Sequence, residues 1–220
     1  MLANRTEQKG RSMVEMLGVL AIIGVLSVGG IAGYSRAMMY FKVNKTMSQV
    51  SHIAAAARSM FGKYDSYSSL GQYTNVNLLR KTNIIPEEMI KLVTVNDEQK
   101  EQLYNPFGGQ ATMVRTDLKT QGDEAAFLYT VYGLPRDACI TIAARDWGSA
   151  DSSGFVAIGV NMTAAAMDAL YLGCTGSAGN VSAFACGSSA GSTQQSPLTL
   201  AQASAACIHD TANAISWKFY

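Results

Sequence analysis

A stretch of 20 residues without a charged side chain, Met16–Ser35, most constrains what this chain can fold into. As a helix it spans roughly 30 Å, the thickness of the hydrocarbon core of a bilayer. Arg5, Lys9 and Arg11 precede it, and a basic head before an apolar run is typical of a secretion signal. The run is longer than an ordinary signal core, however, and no small-residue cleavage site ends it. The sequence therefore predicts an apolar helix that the protein retains.

A single carboxylate, Glu15, lies at the start of this apolar run, within the sequence Met13–Leu17. A charged side chain at the centre of a membrane-spanning helix costs about 2.5 kcal/mol or more. Even at the edge of the hydrocarbon such a charge is unfavourable. Its position therefore indicates that Glu15 has a function.

Gly10, then Arg11-Ser12-Met13-Val14-Glu15, then an apolar helix resembles the signature of the type IV prepilins. In that family a short basic leader ends in Gly, a prepilin peptidase cuts after this Gly on the cytoplasmic side, and Glu is the fifth mature residue. The resemblance implies a leader peptide over residues 1–10, a cleavage site between Gly10 and Arg11, and a role for Glu15 in assembly. The first mature residue of the family is usually apolar and N-methylated, whereas here it is Arg11. The alternative is a plain signal anchor in which Glu15 has no special role.

The helical pattern continues beyond the apolar run. Apolar residues recur at spacings of three and four from Met39 to Tyr64, and no proline interrupts residues 11–64. We therefore predict one helix of about 75 Å over these residues, apolar throughout 11–35 and amphipathic over 36–64. The residues predicted to lie off its apolar stripe are Lys42, Lys45, Ser48, Gln49 and Arg58.

The remaining residues, 65–220, are long enough for one globular head, so the sequence predicts an α+β fold. Together with the resemblance, this gives a long N-terminal α-helix packed against an antiparallel sheet, the α/β roll of pilins. In the final strand, Ile215, Trp217 and Phe219 share one face, which we expect to point to the core. The predicted strands are 111–118, 126–132, 154–162 and 214–220, and the predicted helices are 76–80, one starting at 85–89, 134–144 and 197–209, the last with Leu200, Ala203, Ala206 and Cys207 on its inner face.

Four cysteines, all beyond residue 138, are typical of a protein from an oxidising compartment, and they admit three disulfide pairings. The pair Cys139–Cys207 would join two predicted helices, and the pair Cys174–Cys186 would order a long stretch rich in Gly, Ser and Ala. The resemblance extends to the type IVb pilins, in which a disulfide bounds a C-terminal region. It thus implies the first pairing, with residues 139–207 as that region.

Other functional classes find little support in the sequence. The net charge of +1 and the scattered basic residues predict no nucleic-acid partner. There are two histidines, and neither a G-x-S-x-G motif nor a phosphate loop, so we predict no enzyme and no cofactor. The adjacent Glu87 and Glu88 would diverge on a helix, and the spacing of Asp146 and Asp151 does not fit an EF-hand. We therefore predict no metal site.

The resemblance implies a structural subunit of a type IVb pilus, which polymerises with itself by burying the apolar helix in the filament core. Its other implied partners are the prepilin peptidase and the assembly machinery of the bacterial inner membrane. The subunit would reside in that membrane before assembly and afterwards in an extracellular pilus that serves adhesion, aggregation or conjugation. Within the filament, Glu15 would pair with the α-amino group of a neighbouring subunit. The alternatives are a minor pilin or type II secretion pseudopilin, and a signal-anchored extracytoplasmic binding domain.

Overall fold

The computed structural model describes residues 13–62, 66–148, 154–168, 170, 183–187 and 197–220. The chain divides into two compact units, one that ends at Phe41 and one formed by Lys42–Tyr220, and the first helix contributes to both. The helices in the described residues are α1 (Met13–Phe61), α2 (Val76–Lys81), α3 (Arg136–Ala143), α4 (Ala164–Asp168) and α5 (Leu200–Ala206). The strands are β1 (Ile90–Val95), β2 (Glu98–Tyr104), β3 (Gln110–Thr116), β4 (Ala126–Leu134), β5 (Phe155–Val160), β6 (Ala183–Cys186) and β7 (Asn213–Phe219).

The seven strands form one antiparallel sheet in the order β1-β2-β3-β4-β7-β5-β6. The C-terminal strand β7 therefore lies in the middle of the sheet, between β4 and β5. Trp217 pairs with Tyr129 of β4 on one side and with Ile158 of β5 on the other. The central sheet is consequently incomplete until the last residues of the chain have joined it.

One face of the central strands packs on the second half of α1. The side chains that α1 buries there are Val43, Thr46, Gln49, Val50, Ile53, Ala54, Ala57 and Phe61. Aromatic rings continue this core from the last turn of α1 into the sheet: the ring centroids of Phe61 and Tyr67 are 5.8 Å apart, those of Tyr67 and Phe127 5.1 Å, and those of Phe127 and Phe219 5.6 Å. The predicted inward face of β7 is confirmed, since Ile215, Trp217 and Phe219 are all buried.

The opposite face of the sheet has a core of its own, built around α4 and the loop after β3. Its buried members are Leu118, Ala126, Leu128, Val156, Ala157, Met162, Met167 and Leu170. Because both faces are covered, the strands at the centre are buried along nearly their whole length, and even the alternate positions Thr130 and Ser216 are buried and hydrogen-bonded to each other at 2.9 Å.

The predicted helix starting at residues 85–89 is wrong. Glu87–Met89 forms a single 3₁₀ turn, and the chain then enters the hairpin of β1 and β2. Strand β1, Ile-Lys-Leu-Val-Thr-Val, is rich in residues of high strand propensity. Strand β2, Glu-Gln-Lys-Glu-Gln-Leu-Tyr, has little intrinsic preference for a strand. It becomes a strand because six of its residues pair with those of β1.

The other predictions for the head are mostly confirmed. Strands β3, β4, β5 and β7 and helices α2, α3 and α5 form within the predicted stretches, apart from small differences at their ends. The sequence missed β6 and α4. Leu200, the first residue of α5, is 69% exposed and not on the inner face, whereas Ala203, Ala206 and Cys207 are buried as predicted. Gln49 is buried although it was predicted to lie off the apolar stripe.

Replacing Ile53 tests how strongly the second half of α1 is packed. Ile53 is fully buried, so Ile53→Ala should lower the free energy of unfolding of the head by about 2–5 kcal/mol through lost burial and a cavity. His52 next to it is exposed, and His52→Ala should change stability by less than about 0.5 kcal/mol. Denaturant unfolding of the full chain in detergent, followed by tryptophan fluorescence, measures both. Equal stability of the two variants would contradict the packing described here.

Candidate functional site

The first part of α1 presents an apolar surface that no other part of the described chain covers. Helix α1 is long and apolar enough to cross a membrane, and none of its most apolar 18-residue stretch is buried. Contiguous apolar surface of this extent marks a site of contact with lipid or with another protein. We call it the apolar surface; its large exposed side chains are Met13, Val14, Met16, Leu17, Val19, Leu20, Ile22, Ile23, Val25, Leu26, Val28, Ile31 and Tyr34.

Glycines interrupt this surface at five positions. No atom of the described chain would lie within 4 Å of a Cβ added at any of them, so nothing in the described residues requires a glycine there. Each glycine costs up to about 1 kcal/mol of helix stability relative to alanine. In membranes such small residues allow two helices to approach closely. The positions are Gly18, Gly24, Gly29, Gly30 and Gly33.

Glu15 lies in the first turn of α1, between exposed Val14 and Met16. A carboxylate there is favourable for the helix, because the N-terminus carries a partial positive charge. The next charged residue along the helix is Arg36, which the helical rise places about 31 Å away. Glu15 and Arg36 therefore cannot form an ion pair on the same helix. The predicted cleavage site, Gly10 and Arg11, lies outside the described residues.

A disulfide joins Cys139 in α3 to Cys207, the residue that ends α5, with their Cα atoms 6.0 Å apart. This is the predicted pairing, and both side chains are fully buried. The two residues are 68 positions apart, and closing a loop of that size stabilises a fold by roughly 4 kcal/mol in the chain-entropy model. The second predicted pair involves Cys174, which lies outside the described residues, and Cys186, which is buried in β6; it stays a prediction.

Two asparagines hold the ends of α5, β5 and β7 together next to this disulfide. The side-chain amide of Asn213 donates to the carbonyls of Leu134, at 3.1 Å, and His209, and its oxygen accepts from the His209 amide at 3.1 Å. Asn161 donates to the Ala206 carbonyl at 2.8 Å and to the Asn213 oxygen at 3.1 Å. The sequence analysis missed both residues. The tolerance of Asn for the left-handed conformation, which Asn161 adopts with φ 53°, was the only available signal.

Lys218 of β7 is a charged residue that the structure buries completely. Its ammonium group donates to the backbone carbonyl of Asp168 at 2.9 Å and that of Met167 at 3.4 Å, at the end of α4. Burial lowers the pKa of Lys218 to about 8, and the nearby carboxylates of Asp168, Asp117 and Asp123 offset part of this effect. The carboxylate of Asp168 in turn accepts from the hydroxyl of Thr116, so the group ties β3, α4 and β7 together.

The carboxylates weighed as catalytic or metal-binding residues have structural partners. Glu88 accepts from the Lys45 ammonium at 2.8 Å and from the Gln49 amide at 3.0 Å, and these hydrogen bonds lower the pKa of Glu88. Glu87 faces Arg80 instead, at 3.5 Å. Asp146 accepts from the backbone of Gly148 in a turn, and Asp151 lies outside the described residues. Within the described ranges no group of three or more His, Cys, Asp or Glu side chains could hold a metal ion.

Comparison with known proteins gives a consistent result. The PilS N-terminal family matches residues 41–219. The major structural subunit of the bundle-forming pilus of Escherichia coli O111:H- is 26% identical over 220 residues, which cover 98% of this chain and 96% of that protein. The toxin coregulated pilin of Vibrio cholerae is 26% identical over 138 residues, 63% of this chain and 58% of that protein.

Two solved structures also resemble this chain, each at 16% sequence identity. The crystal structure of a type IVb pilin from Salmonella typhi has a TM-score of 0.48, with 79% of this chain and 97% of that chain covered. The crystal structure of TcpA, a type IV pilin from the El Tor biotype of Vibrio cholerae, has a TM-score of 0.49, with 81% and 99% covered.

The lowered pKa of Lys218 predicts a pH dependence of stability. The pKa is about 8 in the folded state and about 10.4 in the unfolded state, so between these values the unfolded chain binds more protons and folding becomes more favourable as pH rises. From pH 7 to pH 10 the free energy of unfolding of the wild type should therefore rise by about 2 kcal/mol relative to that of Lys218→Met. Denaturant unfolding of both proteins at the two pH values measures the change. If the free energies of unfolding of the two proteins differed by the same amount at both pH values, Lys218 would not be desolvated.

Proposed function

This chain belongs to the PilS N-terminal family, a family of type IVb pilins, and from this premise we propose that it is the major structural subunit of a type IVb pilus. The observation that supports the proposal most directly is the uncovered apolar surface of α1. Proteins of this family are structural subunits and not enzymes. The curated relatives are named as a major subunit of the bundle-forming pilus and as the toxin coregulated pilin, which favours a major over a minor pilin.

The apolar surface has to be covered both before and after assembly. Each buried side chain of the size of Leu or Ile contributes about 1.5–3 kcal/mol, and the apolar surface carries many of them. In the inner membrane, lipid covers these side chains; in the filament, the helices of neighbouring copies cover them instead. Contacts that do not close into a ring then extend a helical filament. Because lipid is as apolar as the helices, the choice between the two states depends on packing, on the small glycines and on polar pairs.

Glu15 supplies such a polar pair. A carboxylate surrounded by apolar side chains is strongly destabilising unless a positive charge meets it, or else it becomes protonated. After cleavage behind Gly10, the α-amino group of Arg11 of a neighbouring subunit is a suitable partner. The pair makes correct subunit register far more favourable than any register that leaves a charge unpaired. Its contribution is therefore one of specificity more than of overall stability.

Processing provides the first test. If a prepilin peptidase removes residues 1–10, N-terminal sequencing of the mature protein should begin Arg-Ser-Met-Val-Glu. The same sequencing cycle reveals whether Arg11 is N-methylated. A mature N-terminus near Tyr34 would identify an ordinary cleaved secretion signal. That result would remove the apolar helix from the mature protein and with it the proposed filament core.

Substitution of Glu15 provides the second test. Glu15→Ala should leave leader cleavage, membrane insertion and the Cys139–Cys207 disulfide intact, because these depend on other residues. Filament assembly should fall by about tenfold or more, since a lost pair leaves the neighbour's α-amino group unpaired in an apolar core. Immunoblots of cell-bound and sheared fractions measure assembly, and Asp210→Ala, at an exposed carboxylate of the head, is the matched control. A normal yield of sheared filaments from Glu15→Ala would show that the charge has no role in register.

A further inference from the structure

A cleft on the head, which we call the lysine cleft, lies between α1 and the turn after β2. It has a volume of about 300 Å³, and its walls are Lys42, Lys45 and Gln49 of α1, Glu88, Lys91 of β1, and the turn 104–108. The turn wall is firmly built. The side chain of Asn105 donates to the Tyr132 carbonyl at 2.7 Å and accepts from the Phe107 amide at 2.8 Å.

Gln49 belongs to the inner wall of the cleft. Its side chain is only 7% exposed, and its amide nitrogen donates to Glu88 at 3.0 Å. Its amide oxygen has no hydrogen-bond partner in the described part of the chain. This oxygen is shielded inside the wall, so what the cleft offers to an occupant is its charged groups.

The charges of the cleft define its specificity. Lys45 is engaged by Glu88 at 2.8 Å, whereas the ammonium groups of Lys42 and Lys91 lie over the rings of Phe107 and Tyr104, at 5.8 Å and 5.1 Å from the ring centroids. Three lysines and one carboxylate leave the lining with an excess of positive charge. The occupant should accordingly carry negative charge.

The hairpin of β1 and β2 ends in a segment with this chemistry. We call Asn96, Asp97 and Glu98 the hairpin tip. Asn96 and Asp97 have φ values of 52° and 63°, as in the tight two-residue turns of hairpins, and all three residues are exposed. Glu98 contacts Lys100 at 3.0 Å in a solvent-exposed pair, and Asp97 has no ion-pair partner among the described residues. The tip therefore offers carboxylates together with the polar groups of its turn.

The hairpin that carries this tip is held by its own head only at one end, where β2 meets β3 and Glu101 pairs with Arg80 of α2. Strand β2 pairs with β3 only at Leu103 and Tyr104, so the rest of the hairpin is a two-stranded ribbon, and Leu92 on it is 59% exposed. An isolated two-stranded hairpin is marginally stable in water. From Lys91, at the rim of the cleft, the tip is about 17 Å away along β1, so a chain cannot insert its tip into its own cleft.

We propose that the hairpin tip of one copy docks in the lysine cleft of a neighbouring copy. The carboxylates of Asp97 and Glu98 face the lysines of the cleft. The two surfaces are different parts of the same chain, so the contact is heterologous and extends from copy to copy. The inference rests on the proposed filament and adds to it a contact between heads.

Charge-reversal substitutions on the two surfaces, alone and combined, test this contact in cells that assemble the full chain. Asp97→Lys and Lys42→Glu should each lower the sheared filament fraction about tenfold, because attraction becomes repulsion at every subunit. Lys42 is chosen because Glu88 already engages Lys45. The combined variant should recover the wild-type yield to within about twofold. Asp210→Lys and Lys81→Glu, at exposed positions elsewhere on the head, are the matched controls and should assemble normally.

The outcomes separate failure of this contact from failure of the proposed function. Absence of filaments from the wild-type chain would refute the filament itself. Wild-type filaments together with normal assembly of both single variants would refute only the contact, and would leave the cleft to a soluble anion. A combined variant no better than the worse single variant would refute it as well. Thermal unfolding of each variant in detergent identifies any loss of assembly that comes from misfolding.

Chemical cross-linking supplies an independent readout on unmodified filaments. A zero-length carbodiimide reagent joins a carboxylate to a lysine that touches it. Sheared wild-type filaments should yield covalent dimers in which a peptide with Asp97 or Glu98 is linked to one with Lys42, Lys45 or Lys91. Detergent-dispersed monomers should not yield this link. Dimers from filaments that lack any link between tip and cleft would overturn the proposal.

Discussion

An apolar helix surface that the chain does not itself cover is the constraint on which the other features depend. From Met13 to Tyr34 the large side chains of α1 are exposed and apolar, and Glu15 is the single charged residue among them. Water cannot solvate such a surface favourably, so lipid or further copies of the chain must. The head therefore has to build its core without these residues. It does so from Val43 onward, where the burial of α1 becomes one-sided.

The head in turn depends on its last residues. Strand β7 lies between β4 and β5, so the centre of the sheet forms only when the C-terminus pairs with strands far from it in sequence. Such non-local pairing is slow and costs loop-closure entropy. The Cys139–Cys207 disulfide reduces that cost, because Cys207 lies six residues before β7 begins. Asn213, at the first position of β7, then fixes the strand to Leu134 and His209 by hydrogen bonds.

The sequence predicted the parts of this architecture that follow from local patterns. The apolar run, the α1 stripe, the aromatic strand β4 and the alternation of Ile215, Trp217 and Phe219 each carry a strong periodic signal. The hairpin of β1 and β2 was missed, since β2 has little strand preference of its own and is a strand only through its pairing with β1. Leu200 was misplaced because helical spacing shows which residues share a face but not how far the core extends along that face. The sequence indicated the importance of Glu15. It did not predict the lysine cleft, because the residues of the cleft come from three separate parts of the chain.

Lys218 and Gln49 are two polar residues that the head buries although the periodic pattern did not predict it. Lys218 donates to two carbonyls at the end of α4, so its hydrogen-bonding capacity is used within the head and its role is to join β7 to the opposite layer. Gln49 uses its nitrogen on Glu88 but leaves its oxygen without a donor in the described residues. Each side chain therefore reaches a partner on a neighbouring element, Lys218 at the end of α4 and Gln49 at the turn before β1. Burial of a polar residue in this head thus depends on a partner elsewhere in the chain, which the pattern along its own helix or strand does not reveal.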